Sequence, residues 1–304
     1  MVDSSPLPPL VFMPAQSSRT RAPPPTSTSI PPPSQNPLDS KPEKVIEESA
    51  SKRAKFSLPK LRLEIRDLNH EGSLVFLKAV IASKALEKSV QSVLSLLYHS
   101  PDSQTTTVPT TRSVTLILRS MPGVAYTTGS DLDDDHKEIH FSLDYIHGIS
   151  ESRKKDEIMG VLTHEMVHCY QYNAFGTCPG GLIEGIADWV RLNSDLSPPH
   201  WRKEAGGKWD AGYQHTGYFL EYIEHRFGKG TIRRLNEKLR IKKYHEKQFW
   251  TELVGRPVEQ LWGDYSDVLD KEKRKAEDDE CVLVEKEDAS TPRATDGSLT
   301  PTST

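Results

Sequence analysis

With 304 residues, 27% of them charged, and a formal net charge of −4, the chain has no basic excess. That balance argues against nucleic acid or an anionic membrane as its partner, and no apolar run approaches the roughly 20 residues of a membrane-spanning helix. Three cysteines, Cys169, Cys178 and Cys281, do not make a disulfide framework, so reduced thiols are expected.

Residues 1–42 hold twelve of the 22 prolines, interleaved with Ser and Thr. Such a stretch cannot bury enough apolar surface to offset its ordering entropy, and residues 1–57 are expected as a disordered tail. Pro8 and Pro9 break the short apolar run Leu7 to Met13, which leaves no signal-peptide core and makes an intracellular protein the expectation. The basic cluster Lys52 to Lys55 reads as a solvated face. One domain then spans residues 58–269, and residues 270–304 read as a second disordered tail, charged and then rich in Ser and Thr.

Within the domain, Leu61, Leu63 and Ile65 alternate with charged residues, the period of a half-buried strand. Ser73 to Tyr98 is apolar at helical spacing and predicts a long helix broken near Ala82. Val114, Leu116 and Leu118 predict a second strand, and Ile139, Phe141, Leu143 and Tyr145 a third. Between them, Gly123 to Gly129 reads as turn or edge strand. Asp131 to Asp135 reads as an acidic loop without the ordered spacing of a calcium site. Helices follow over Lys154–Asn173, Leu182–Asn193, Gly212–Phe227, Ile232–Lys238, Lys247–Leu253 and Val258–Leu269. The strand directly before Lys154 suits a substrate-pairing edge. An N-terminal helix and small mixed sheet followed by a mostly helical half is an α+β domain, with its cleft between the halves.

The chemistry concentrates in Gly160 to Leu192. His164, Glu165 and His168 form an H-E-x-x-H pattern, and on a helix residues four apart share a face. Two imidazoles can therefore aim at one point that Glu165 borders, as in zinc hydrolases. A catalytic zinc needs a third protein ligand, and Glu184 is assigned that place. Asp188, one turn later, is assigned to the free ring N–H of His164. A longer metzincin pattern fails, because Gln171 and Ala174 stand where it needs Gly and His. Glu165 is read as the general base and acid for water. Tyr213, His215 and Tyr218 are the candidates for the donor to a tetrahedral oxyanion, and the sequence does not rank them. Tyr170, Tyr172, Trp189 and Trp201 read as core or cleft wall.

The expected function is zinc-dependent hydrolysis of peptide bonds by a monomer acting on a peptide or protein substrate, with Zn2+ as cofactor. Two rivals share the residues: a non-catalytic binding protein that keeps the fold, and a zinc hydrolase of a non-peptide amide. Glu165 favours catalysis, since a structural metal site has no need of a general base.

The strings HEMVHCYQYN, PGGLIEGIADWVRL, GYQHTGYFLEYIEHRFG and VEQLWGDY resemble the basic secretory protein family of plants and its microbial relatives, a group classed among zinc metallopeptidases. The resemblance covers about Leu61 to Tyr265. It implies a gluzincin-like peptidase fold, with the family's metal pattern on His164, Glu165 and His168 and its acidic helix on Glu184 and Asp188. Family members are typically basic and secreted, whereas this chain is slightly acidic, so secretion and a role in plant defence are not carried over.

Overall fold

A computed structural model describes residues 55–289, with side chains through Glu277. Expectations placed on residues 1–54 and 290–304, and on the Cys281 thiol, lie outside the described residues. The first half runs β1 (Lys60–Ile65), α1 (Glu71–Ala79), α2 (Ala82–Leu97), β2 (Ser113–Arg119), β3 (Ala125–Ser130), β4 (Asp133–Ser142) and α3 (Leu143–Gly148). The second half is helical: α4 (Lys154–His168), α5 (Gly180–Leu192), α6 (Tyr213–Phe227), α7 (Thr231–Ile241), α8 (Glu246–Val254) and α9 (Val258–Ala289). The α+β expectation and the small mixed sheet are both present.

The sheet has the order β1-β2-β4-β3. β1, β2 and β4 run parallel, and β3 returns antiparallel to β4 as an edge. Val114, Leu116, Leu118, Ile139 and Phe141 alternate onto one face and are completely buried, which is where the helices pack. The predicted break in the first long helix falls at Val80 and Ile81, whose extended backbones separate α1 from α2.

Several boundaries differ from expectation, among them the start of β4 at Asp133, inside the run read as an acidic loop. Leu143 and Tyr145 belong to α3 rather than to the third strand, because Ser142 ends the pairing with β2 and its Oγ accepts the Tyr145 N–H as a helix cap. The strand that precedes α4 is therefore interior to the sheet, and the edge is β3, from the segment read as turn or edge strand. α4 stops at His168, not Asn173, where the Tyr170 and Gln171 amides both turn back to the Val167 carbonyl. α9 runs on to Ala289, past the expected end at Leu269, because Asp270 to Ala289 contains neither Gly nor Pro.

α4 is the central element. Every residue from Ile158 to Val167 is buried, as befits a helix packed on all sides. Ser89 of α2 and Thr163 of α4 share a buried hydrogen bond of 3.2 Å. α5 is tied to α4 by a buried pair, Arg191 Nη2 donating to Glu157 Oε1 at 3.0 Å, with the Tyr145 hydroxyl on the same oxygen. Burial raises the Glu157 pKa, but the Arg191 guanidinium outweighs it and holds the carboxyl below its usual value. Gly160 makes room for that guanidinium, since a Cβ there would lie 2.6 Å from it.

Candidate metal centre

Helical periodicity puts His164 and His168 on the α4 face turned to α5, and α5 answers with Glu184 and Asp188 one turn apart. His164 Nε2 lies 3.3 Å from His168 Nε2 and 3.1 Å from Glu184 Oε2. His168 Nε2 lies 3.7 Å from the same Glu184 oxygen. A tetrahedral zinc with bonds of about 2.0–2.1 Å needs ligand atoms roughly 3.3 Å apart. The three distances fit that triangle, and these residues form a group able to hold a metal ion. Two imidazole nitrogens and one carboxylate oxygen also suit zinc chemically.

The outer nitrogens are engaged as well. Asp188 Oδ1 sits 2.7 Å from His164 Nδ1, and the Gln171 amide sits 2.7 Å from His168 Nδ1. Burial lowers the His164 pKa, but the Asp188 carboxylate, helped by Glu184, reverses this and lifts it to about 10. Burial would raise Glu184, yet its hydrogen bonds with the two histidines hold it far below the usual carboxylate range. Without metal the site therefore holds protons among its donors, and a cation has to displace them.

Glu165, next to His164 on α4, meets the edge strand while staying close enough to feel both histidines. It is fully buried, and the Thr127 hydroxyl of β3 lies 2.7 Å from Oε2. Its Oε1 has no hydrogen-bond partner among the described residues. Burial raises the Glu165 pKa, with the two histidines pulling against it, which moves the carboxylate toward the range of a general base. Sequence reasoning missed Thr127, since a threonine in a short strand carries no motif.

The three oxyanion candidates separate. Tyr213 stacks its ring on that of His164, centroids 6.2 Å apart, and its backbone is left-handed at φ 47°. Strain of that kind in a non-glycine residue collects at functional sites. His215 and Tyr218 have other ring partners. His215 Nε2 lies 3.2 Å from the Lys208 carbonyl and its ring stands 5.0 Å from Trp262. Tyr218 packs edge-on against Trp201. α6 turns to α5 the face on which Thr216 meets Gly185 and Gly217 meets Asp188, and His215 and Tyr218 flank that contact.

The turn that delivers Tyr213 is stapled internally. The Gly212 N–H donates to Thr216 Oγ1 at 2.9 Å, and the Thr216 hydroxyl donates to the Trp209 carbonyl at 2.8 Å. Gly212 itself has φ 92°, a conformation glycine adopts without a side-chain penalty. Tyr170, Trp189 and Trp201 are buried, in keeping with core or wall roles.

A family profile described as "BSP: Peptidase of plants and bacteria" matches residues 58–265. No curated protein and no solved structure matches the chain.

Proposed function

The chain belongs to the BSP family, the peptidases of plants and bacteria that its motifs resemble, and we propose that it is a zinc-dependent peptidase with a gluzincin-like centre. The observation that carries the reading is the convergence of His164 Nε2, His168 Nε2 and Glu184 Oε2 within 3.1–3.7 Å, beside a buried Glu165 with one oxygen unpartnered. His164, His168 and Glu184 would hold the metal. When bound, zinc supplies a Lewis acid that polarises a scissile carbonyl and acidifies a water.

Glu165 does the proton work. Thr127 holds one of its oxygens, so Oε1 accepts a proton from the attacking water and returns it to the departing amine. Asp188 keeps the His164 proton on Nδ1. We assign the donor to the tetrahedral oxyanion to Tyr213, a reading supported by its ring stacked on His164. The free edge of β3, which carries Thr127, suits an extended peptide backbone laid beside the site.

Metal analysis of the purified chain, together with peptide-library cleavage by wild type and Glu165→Gln, tests the proposal. Stoichiometric zinc in both proteins and turnover in wild type alone is the expected result. A wild type without zinc, or equal cleavage by both proteins, overturns it.

A further inference from the structure

We propose that Gln171 is a positioning residue of the metal centre: its side-chain carbonyl accepts the Nδ1 proton of His168 and thereby leaves His168 Nε2 bare to ligate. The inference rests on the metallopeptidase reading above and assigns a role to a residue just outside the H-E-x-x-H pattern.

A neutral imidazole carries one proton, and the nitrogen that ligates must be the other one. Each ligating ring therefore needs an acceptor behind it. His164 has Asp188. His168 has, among the described residues, the Gln171 amide at 2.7 Å from Nδ1. As placed, the amide turns its nitrogen to the ring, while Oε1 is buried with no partner. Nitrogen and oxygen of an amide are told apart through the hydrogen bonds they make. Here the contact with His168 supplies that distinction. If Nε2 donates to Nδ1, the ring proton sits on Nε2 and His168 cannot ligate there. If Oε1 accepts from Nδ1, His168 is a competent ligand. The ligand-competent state thus requires the carbonyl end of Gln171 to face the ring.

The backbone around Gln171 is fixed well enough to make this a choice of amide rotation and not of position. The Gln171 N–H donates to the Val167 carbonyl at 2.8 Å. Thr111 Oγ1 donates to the Cys169 carbonyl at 3.0 Å, and the Tyr98 hydroxyl donates to the Tyr170 carbonyl at 2.5 Å. The Tyr172 N–H donates to Asn236 Oδ1 at 3.1 Å. Four consecutive residues after His168 are thereby anchored to α4, to the loop before β2, to the residue that caps the end of α2 and to α7. The anchoring leaves the Gln171 side chain within reach of a ring three residues back.

The test measures zinc affinity of the full chain by competition with a chromogenic chelator, with circular dichroism as the check on folding. Gln171→Met keeps length and loses the acceptor, and is expected to weaken zinc binding about 10–100-fold. Gln171→Glu supplies an acceptor without donors, and is expected to bind zinc as tightly as wild type or more tightly. A role in packing alone would be met by Met and disturbed by Glu, the opposite pattern. Should Gln171→Met fail to fold, Gln171→Glu decides alone, because loss of zinc from a folded Gln171→Glu overturns the acceptor role. Equal zinc affinity in wild type and Gln171→Met overturns this inference and leaves the metallopeptidase reading standing, whereas a wild type that binds no zinc overturns both.

Discussion

Asp188 Oδ1 and His164 Nδ1 stand 2.7 Å apart, joining α5 to α4 at a point nearly sealed from solvent. The pair fixes the His164 proton on Nδ1 and turns Nε2 toward Glu184 and His168. Asp188→Ala is expected to weaken zinc binding about 10–100-fold, measured by chelator competition. Asp188→Asn, which keeps an acceptor, is expected to lose less.

The same pair sets a pH dependence in the metal-free chain. His164 has a folded pKa lifted to about 10, against about 6.5 for an unfolded histidine. A raised folded pKa contributes stability that is complete below about pH 6.5 and is lost as pH rises toward 10. Glu165, raised by burial, has the same sign, its contribution being lost as pH rises above about 4.5. Glu184 has the opposite sign: its depressed pKa contributes stability above about pH 4.5 that is lost in strong acid. Thermal melts in chelator should therefore show a maximum on the mildly acid side and a falling Tm toward pH 10. Zinc displaces the His164 proton, so the loaded chain is expected to lose that alkaline decline.

Thr127 and Glu165 supply a third prediction. Thr127→Val keeps the shape of the strand and removes the hydroxyl that holds Oε2. Zinc content is expected to stay at wild-type level while kcat falls about 10–100-fold, since a misplaced catalytic group costs rate without costing metal. A fall in zinc content would show that Thr127 supports the metal ligands instead.

Tyr213 can be separated from its neighbours on α6. Tyr213→Phe keeps the ring against His164 and removes the donor, and is expected to lower kcat about 100–1,000-fold with little change in KM. His215→Ala and Tyr218→Phe are expected to stay within a few-fold of wild type. Steady-state kinetics on one cleavable peptide distinguishes the three.

Gly181 is where α5 touches the chain that feeds α6. A Cβ at this position would lie 1.7 Å from the Asp210 carbonyl oxygen and 3.2 Å from the Gly212 nitrogen. Both are backbone atoms and cannot swing aside. Gly181→Ala is expected to cost about 1–3 kcal/mol or more of stability, read from urea unfolding, and to reduce activity by displacing Tyr213.

The proposed metal ligands are legible in the sequence because they obey local rules. His164 with His168 and Glu184 with Asp188 are each separated by one helical turn, and Pro179 marks where the second helix begins, at Gly180, two residues before the expected start at Leu182. The strand and helix cores were legible by the same periodicities. Leu143 and Tyr145 were misread because their alternation continues β4 unbroken, and the change of conformation is decided by the Ser142 cap. Thr127 left no trace because its role depends on β3 folding back along β4, a pairing no local pattern announces. Tyr213 could not be ranked above His215 and Tyr218 until the contact of Thr216 and Gly217 with α5 oriented the helix.

The separations along the chain carry a consequence for assembly. His164 and Glu184 are 20 residues apart, whereas Thr127 reaches Glu165 across 38 residues and from the edge strand of the sheet. Closing a short loop costs less entropy than closing a long one, and contacts near in sequence form earlier in folding. A nascent chain can bring the ligands of α4 and α5 together as a helical hairpin before β3 has joined its sheet. On the proposed function, that order would put capture of the metal ahead of alignment of Glu165.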